Sequence, residues 1–169
     1  NIVITPSKYF QNLVSKWVKN AEKVKVIYNG IQLEIPNKFQ NPNPKTIVSA
    51  GRLVPWKGFS ALIEIMKDLP DWKLVIIGDG PERENLELRI KNYELGNRVT
   101  LAGALPREKL LGLLQGAAIF ILNTSFESFS FQVVEAMNAG VPVITTKMGS
   151  LTELIEDGNE GILIEPNDR

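Results

Sequence analysis

Eight short apolar runs set the strongest constraint on this chain: Asn1–Thr5, Val24–Tyr28, Thr46–Ala50, Trp72–Ile77, Val99–Ala102, Ala118–Leu122, Val141–Thr145 and Gly161–Ile164. Most are β-branched and continuous, with no polar residue at alternate positions. A strand with one wet face alternates, whereas a strand covered on both faces does not. Helical patterns separate the runs, near Ser7–Lys19, Phe59–Leu69, Pro81–Leu95, Pro106–Gln115, Phe131–Asn138 and Leu151–Glu156. Strands that alternate with helices join as parallel βαβ units, so the expected fold is an α/β doubly wound parallel sheet. Pro81 and Pro106 suit the first turns of two of these helices. Gly140 suits a helix stop, and Asp157-Gly158-Asn159 a turn.

One segment breaks the rhythm. Residues 29–44 carry Asn29-Gly30 and several prolines and asparagines with little periodicity, and read as a connector. Residues 1–28 then form a lead-in strand and helix from an interdomain region, and the main sheet occupies 45–169. The lead-in helix is expected to pack, with a cationic outer face. The chain starts at Asn1 without a Met and is expected to be a piece of something longer, cytoplasmic in origin. No apolar run approaches the roughly 20 residues of a membrane span. There are 19 Lys plus Arg against 19 Asp plus Glu, so no global field draws in nucleic acid. Cysteine and histidine are both absent. That excludes disulfides and Cys-based metal sites, and removes the commonest general base and metal ligand. Chemistry is left to carboxylates, Lys, Arg, hydroxyls and backbone groups.

Ligands of an open parallel sheet bind beyond the carboxyl ends of its strands. The loop after Thr46–Ala50 is Gly51-Arg52-Leu53-Val54-Pro55-Trp56-Lys57-Gly58. Gly51 and Gly58 permit close backbone approach, and Arg52 and Lys57 are its cations. Such a pair offsets the charge of a diphosphate leaving group, and it equally fits two solvated surface cations. The loop matches neither the P-loop order nor a full Gly-x-Gly-x-x-Gly fingerprint.

A second strand-to-helix loop leads to two acids, Glu127 and Glu135, eight positions apart in Ser125-Phe126-Glu127-Ser128-Phe129-Ser130-Phe131-Gln132-Val133-Val134-Glu135-Ala136-Met137. Ser128 or Ser130 can cap the helix that follows, whose N-terminus would face an anion. Glu135 sits among packing residues, where an acid is costly unless hydrogen-bonded or wet. Adjacent ribose hydroxyls would satisfy it. The alternative is a loop acid at Glu127 and a solvent-facing acid at Glu135.

Read together, the motifs come in one order: Gly51-Arg52-Leu53-x-x-x-Lys57-Gly58, Gly78-Asp79-Gly80-Pro81, Val99-Thr100-Leu101-Ala102-Gly103, Glu127-x₇-Glu135-Ala136-Met137 and Glu153-Leu154-Ile155-x-Asp157-Gly158. This series resembles the C-terminal donor-binding domain of retaining GT-B glycosyltransferases, the group that includes glycogen synthase and many mannosyltransferases. The resemblance covers nearly the whole chain. It implies a Rossmann-like half of a GT-B fold and transfer of a hexosyl group from a UDP, GDP or ADP sugar, with no metal and no cofactor. It implies diphosphate binding by Arg52 and Lys57 beside Gly51, and Glu127 beside the transferred sugar. Glu135 would hold the ribose, and the backbone of Leu101, Gly103, Ala104 and Leu105 would receive the base. Phe129, Ser130 and Phe131 would open the helix facing the distal phosphate. Ser128 and Ser130 stand where the family usually has glycines, which bears on the sugar contacts. The acceptor, a glycan or lipid-linked sugar, would belong to a missing N-terminal domain. The isolated domain is then expected to be inactive. Lys8, Lys16 and Lys19 admit peripheral contact with the cytoplasmic membrane face. Two rival readings are a sugar-nucleotide epimerase of the same architecture and a non-catalytic nucleotide-sensing domain. Glu153 is expected to serve the N-terminus of its own helix through the dipole.

Overall fold

The computed structural model describes residues 1–32 and 44–166. Most of the expected connector, residues 33–43, lies outside the described residues. Among the described residues there are two parallel sheets. The smaller pairs β1 (Val3–Thr5) with β2 (Val24–Val26), joined through α1 (Lys8–Ser15). The larger contains β3 (Thr46–Ala50), β4 (Lys73–Ile77), β5 (Val99–Gly103), β6 (Ile119–Leu122), β7 (Val143–Thr146) and β8 (Ile162–Ile164). Its order is β5-β4-β3-β6-β7-β8, with every pairing parallel. Every strand expected from the sequence forms, most of them a residue or two shorter.

Burial on both faces is visible within single strands. On β3, Ile47 packs into one apolar cluster, while Val48 and Ala50 pack into the other. Phe120 on β6 is fully buried in that second cluster, whereas its neighbour Ile121 faces the first. Helices α2 (Phe59–Ile65) and α3 (Arg83–Asn92) cover the first face through Phe59, Leu62, Ile63, Leu86 and Ile90. Helices α4 (Arg107–Gln115), α5 (Phe131–Asn138) and α6 (Leu151–Leu154) cover the other through Leu111, Leu114, Val133, Ala136 and Leu151.

The helix ends sharpen the sequence reading. Gly140 closes α5 at φ 72°. The Val141 N–H donates to the Ala136 carbonyl and the Gly140 N–H to that of Met137, the paired bonds of a Schellman stop. Pro106 is not in a first helical turn. It is extended at ψ 149° and stands immediately before α4. Pro81 likewise precedes the residue that caps α3. The expected lead-in helix forms over a shorter span and packs only partly: α1 buries none of its residues fully, and Trp17 beyond it is 72 % exposed.

The strand order places the site. From β3 the chain winds outward through β4 to β5, then returns to the other side of β3 and winds away through β6, β7 and β8. The loops after β3 and β6 therefore diverge, and the crevice between them is the switch point where doubly wound folds bind ligands.

Candidate functional site

The loop after β3 turns through a 3₁₀ segment, Pro55–Lys57, closed by Gly58 at φ 64°. It is tied to the loop after β6. The Ser125 N–H donates to the Trp56 carbonyl over 2.8 Å, and Thr124 Oγ1 lies 3.2 Å from the same oxygen. Thr146, at the end of β7, donates its hydroxyl to the Thr124 carbonyl over 2.5 Å. These bonds line up three strand ends on one rim.

Two glycines let the rim close. A Cβ on Gly78 would stand 1.9 Å from the Gly51 carbonyl oxygen, and one on Gly149 would stand 2.1 Å from that of Glu127. Both residues also have positive φ, 133° and 59°, which L side chains disfavour. The Ser150 N–H then donates to the Glu127 carbonyl over 3.0 Å. Hence the loop after β7 clamps the Glu127 peptide, a role that neighbouring small residues in Met148-Gly149-Ser150 could have signalled.

Lys57 and Glu127, 70 positions apart, meet at 2.5 Å. Their side chains are only 12 % and 10 % exposed. The Lys57 stem runs beside Gly51, whose Cβ position would be 3.8 Å from Lys57 Cδ and Cε. Arg52 is exposed and has no ion-pair partner among the described residues. The structure thus brings Gly51, Lys57 and Glu127 together and leaves Arg52 as an unengaged cation on the same loop.

Glu135 is also buried, at 9 % exposure, but does not touch that pair. Its Oε1 accepts from Arg107 Nε over 3.2 Å, and Arg107 also donates to the Gln32 carbonyl over 3.0 Å. Arg107 opens α4, just beyond the carboxyl end of β5, so Glu135 is turned to the same edge of the sheet as Glu127. The alternative of a solvent-facing acid at Glu135 is therefore not met. Arg107 is a site residue that the sequence reading misses. A cation at the first position after a strand-to-helix loop was the available signal.

Ser130 caps α5, accepting from the Val133 N–H over 3.3 Å. The N–H groups of Phe131 and Gln132 have no partner among the described residues, so the positive end of α5 is open. Phe129, largely buried, meets the half-exposed Phe131 edge-on at 5.2 Å. The segment Leu101–Leu105 lies at the end of β5. The register with β4 shifts there, so Ile77 pairs with Gly103 rather than Ala102. Such a bulge re-aims the strand end. Leu101 and Leu105 pack inward, while Ala104 is exposed. From β5 to the β3–β6 crevice is two to three strand spacings, about 12 Å. Two other concavities lie away from this rim, one along α3 around Asn85 and Arg89, one around Met137 and Ile162.

Fold and rim together define a doubly wound GT-B-type α/β domain with an open helix N-terminus, cations and two buried acids along its carboxyl edge. The chain belongs to the family described as glycosyl transferases group 1, whose model matches residues 31–169. It is 34 % identical over 163 residues to one of the subunits of human phosphatidylinositol N-acetylglucosaminyltransferase, covering 93 % of this chain and 34 % of that protein. It is 33 % identical over 128 residues to 2-deoxystreptamine N-acetyl-D-glucosaminyltransferase of Niallia circulans, covering 73 % of this chain and 33 % of that enzyme. Among solved structures, Anabaena HepE in complex with UDP and glucose superposes with a TM-score of 0.88 at 28 % identity, over 99 % of this chain and 50 % of that one. The chain spans about a third of these curated relatives and half of the solved structure.

Proposed function

We propose that this chain is the donor-binding half of a retaining, metal-independent glycosyltransferase that moves a hexosyl group from a nucleotide sugar, with UDP the favoured nucleotide. The observation that carries the reading is the meeting of Lys57 with Glu127 at the switch point, beside the open N-terminus of α5. The complex of HepE with UDP and glucose supports the choice of donor. In this reading Lys57 and Arg52 take the diphosphate, and α5 adds its free N–H groups and dipole. Those charges meet the negative charge that grows on the departing nucleoside diphosphate, the task a metal ion performs in other transferases. Glu127 faces the transferred sugar. Glu135 leaves Arg107 for the ribose hydroxyls, and the backbone from Leu101 to Leu105 receives the base. The span from β5 to the crevice suits an extended nucleoside diphosphate. The acceptor, a glycan or lipid-linked sugar, is held by a part of the protein outside this chain. The name of the human relative supports a lipid acceptor. Location at the cytoplasmic face of a membrane, with contact through Lys8, Lys16 and Lys19, belongs to the same proposal.

Calorimetry with UDP, GDP and ADP tests it. The chain is expected to bind UDP, and Arg52→Ala plus Lys57→Ala to weaken binding by at least about 100-fold, since each charged contact contributes about 1.5–3 kcal/mol. Exposed Arg52 can be removed alone without disturbing folding. A folded chain that binds no nucleotide, or binding indifferent to both variants, overturns the reading.

A further inference from the structure

We propose that Glu153 is a positioning residue for the Glu127 loop, holding the N-terminus of α1 against the rim. The sequence suggests that Glu153 serves its own helix. The structure turns it elsewhere. Its Oε2 accepts from the Lys8 N–H over 2.9 Å and its Oε1 from the Tyr9 N–H over 2.7 Å. The Tyr28 hydroxyl donates to the same carboxylate over 2.8 Å. These partners lie 145, 144 and 125 positions away.

The chemistry of α1 explains the demand. A helix N-terminus leaves N–H groups unpaired and attracts negative charge. The first turn of α1 contains no acid, and its first residue is Lys8. Ser7 Oγ satisfies the Phe10 N–H over 3.1 Å, which leaves Lys8 and Tyr9. Glu153 supplies both the acceptors and the charge.

Two paths lead from this contact to Glu127. Glu153 sits in α6, where its N–H donates to the Ser150 carbonyl over 3.0 Å, and the Ser150 N–H holds the Glu127 carbonyl. On the other side, the Tyr9 ring meets Phe126 edge-on at 6.3 Å, one residue before Glu127. The start of α1 thus braces the Glu127 peptide from both sides. Docking of the β1–α1–β2 unit and placement of the acid at the crevice become one event.

Amide hydrogen exchange tests this without any ligand. Glu153→Gln keeps one acceptor and removes the charge. Lys8→Pro leaves Glu153 intact and deletes the Lys8 N–H together with the Lys8 charge, at a first helical position where proline fits and behind Ser7, already extended at ψ 161°. In both variants the Ser150 amide is expected to exchange about 10-fold faster, the effect of losing roughly one hydrogen bond, while Leu74 and Ile76 on β4 are unchanged. Unaltered Ser150 exchange in both, or equal acceleration at Ser150 and β4, overturns the proposal. A second readout rests on the donor reading above. Affinity for UDP-glucose should fall about fivefold in Glu153→Gln and affinity for UDP should fall less, because Glu127 faces the sugar while Arg52 and the α5 N–H groups hold the diphosphate independently of it. Equal loss for both ligands counts against positioning. Wild-type chain that binds neither sinks the donor reading, and the exchange result still decides this one.

Discussion

The two sheets of this chain are stabilised in different ways. The six-stranded sheet carries apolar clusters on both faces and includes fully buried residues as large as Phe120. The β1–β2 sheet leaves Ile4, and Ile2 and Ile27 just beyond its strands, at 59–70 % exposure, and Val24 is its buried apolar residue. One region is held by area removed from water. The other depends on directed bonds to a distant carboxylate. Burial supports a structure without regard to direction, whereas a few charged hydrogen bonds hold one orientation and depend on charge state.

Cutting into the larger core should cost the most stability. Phe120→Ala is expected to lower unfolding free energy by about 3–5 kcal/mol in urea titrations, while Ile4→Ala stays within roughly 0.5 kcal/mol. Similar losses from both would mean that the smaller sheet has a core of its own. Next in size is Ser130→Ala, which removes the α5 cap and should cost about 1 kcal/mol. Because that cap lies beside the larger sheet, the loss should appear in the main unfolding transition. The smallest effect is electrostatic. Partial burial pushes the Glu153 carboxyl up, but the Tyr9 and Lys8 N–H bonds, the Tyr28 hydroxyl and the Lys8 charge outweigh it and hold it below its ordinary 4.5. A lowered carboxyl pKa stabilises the folded form above that ordinary value, and the gain disappears as pH falls through the lowered one. The same bond raises the pKa of Tyr28, followed by burial and the Glu153 charge. Acid titration followed by NMR should therefore show the Tyr9 and Tyr28 signals moving before those of β4. Simultaneous movement would dissolve the distinction between the two regions.

Much of the site was legible because it follows from strand order. An apolar run without alternation, followed by a glycine and a cation, indicates a loop at the carboxyl edge wherever it occurs. Residues 51–58 have that form, and the apolar run before 123–130 marks a second such loop. Both meet at the crevice. Arg107 was not legible as the partner of Glu135, since nothing within α4 or α5 marks one for the other. Glu153 does lie in the first turn of its own helix, but its bonds to the start of α1 were not legible for a similar reason. Dipole preference is the same for any N-terminus, so the residue type does not say which helix it serves.

Taken alone, the amino-acid sequence determined the elements, their parallel arrangement and the edge where polar residues gather, because side-chain periodicity responds to burial over only a few neighbouring residues. Tertiary structure decided which charge meets which: Lys57 with Glu127, Arg107 with Glu135, and Glu153 with the start of α1. Those contacts span 70, 28 and 145 positions, and such distances close only after the strands have taken their order in the sheet.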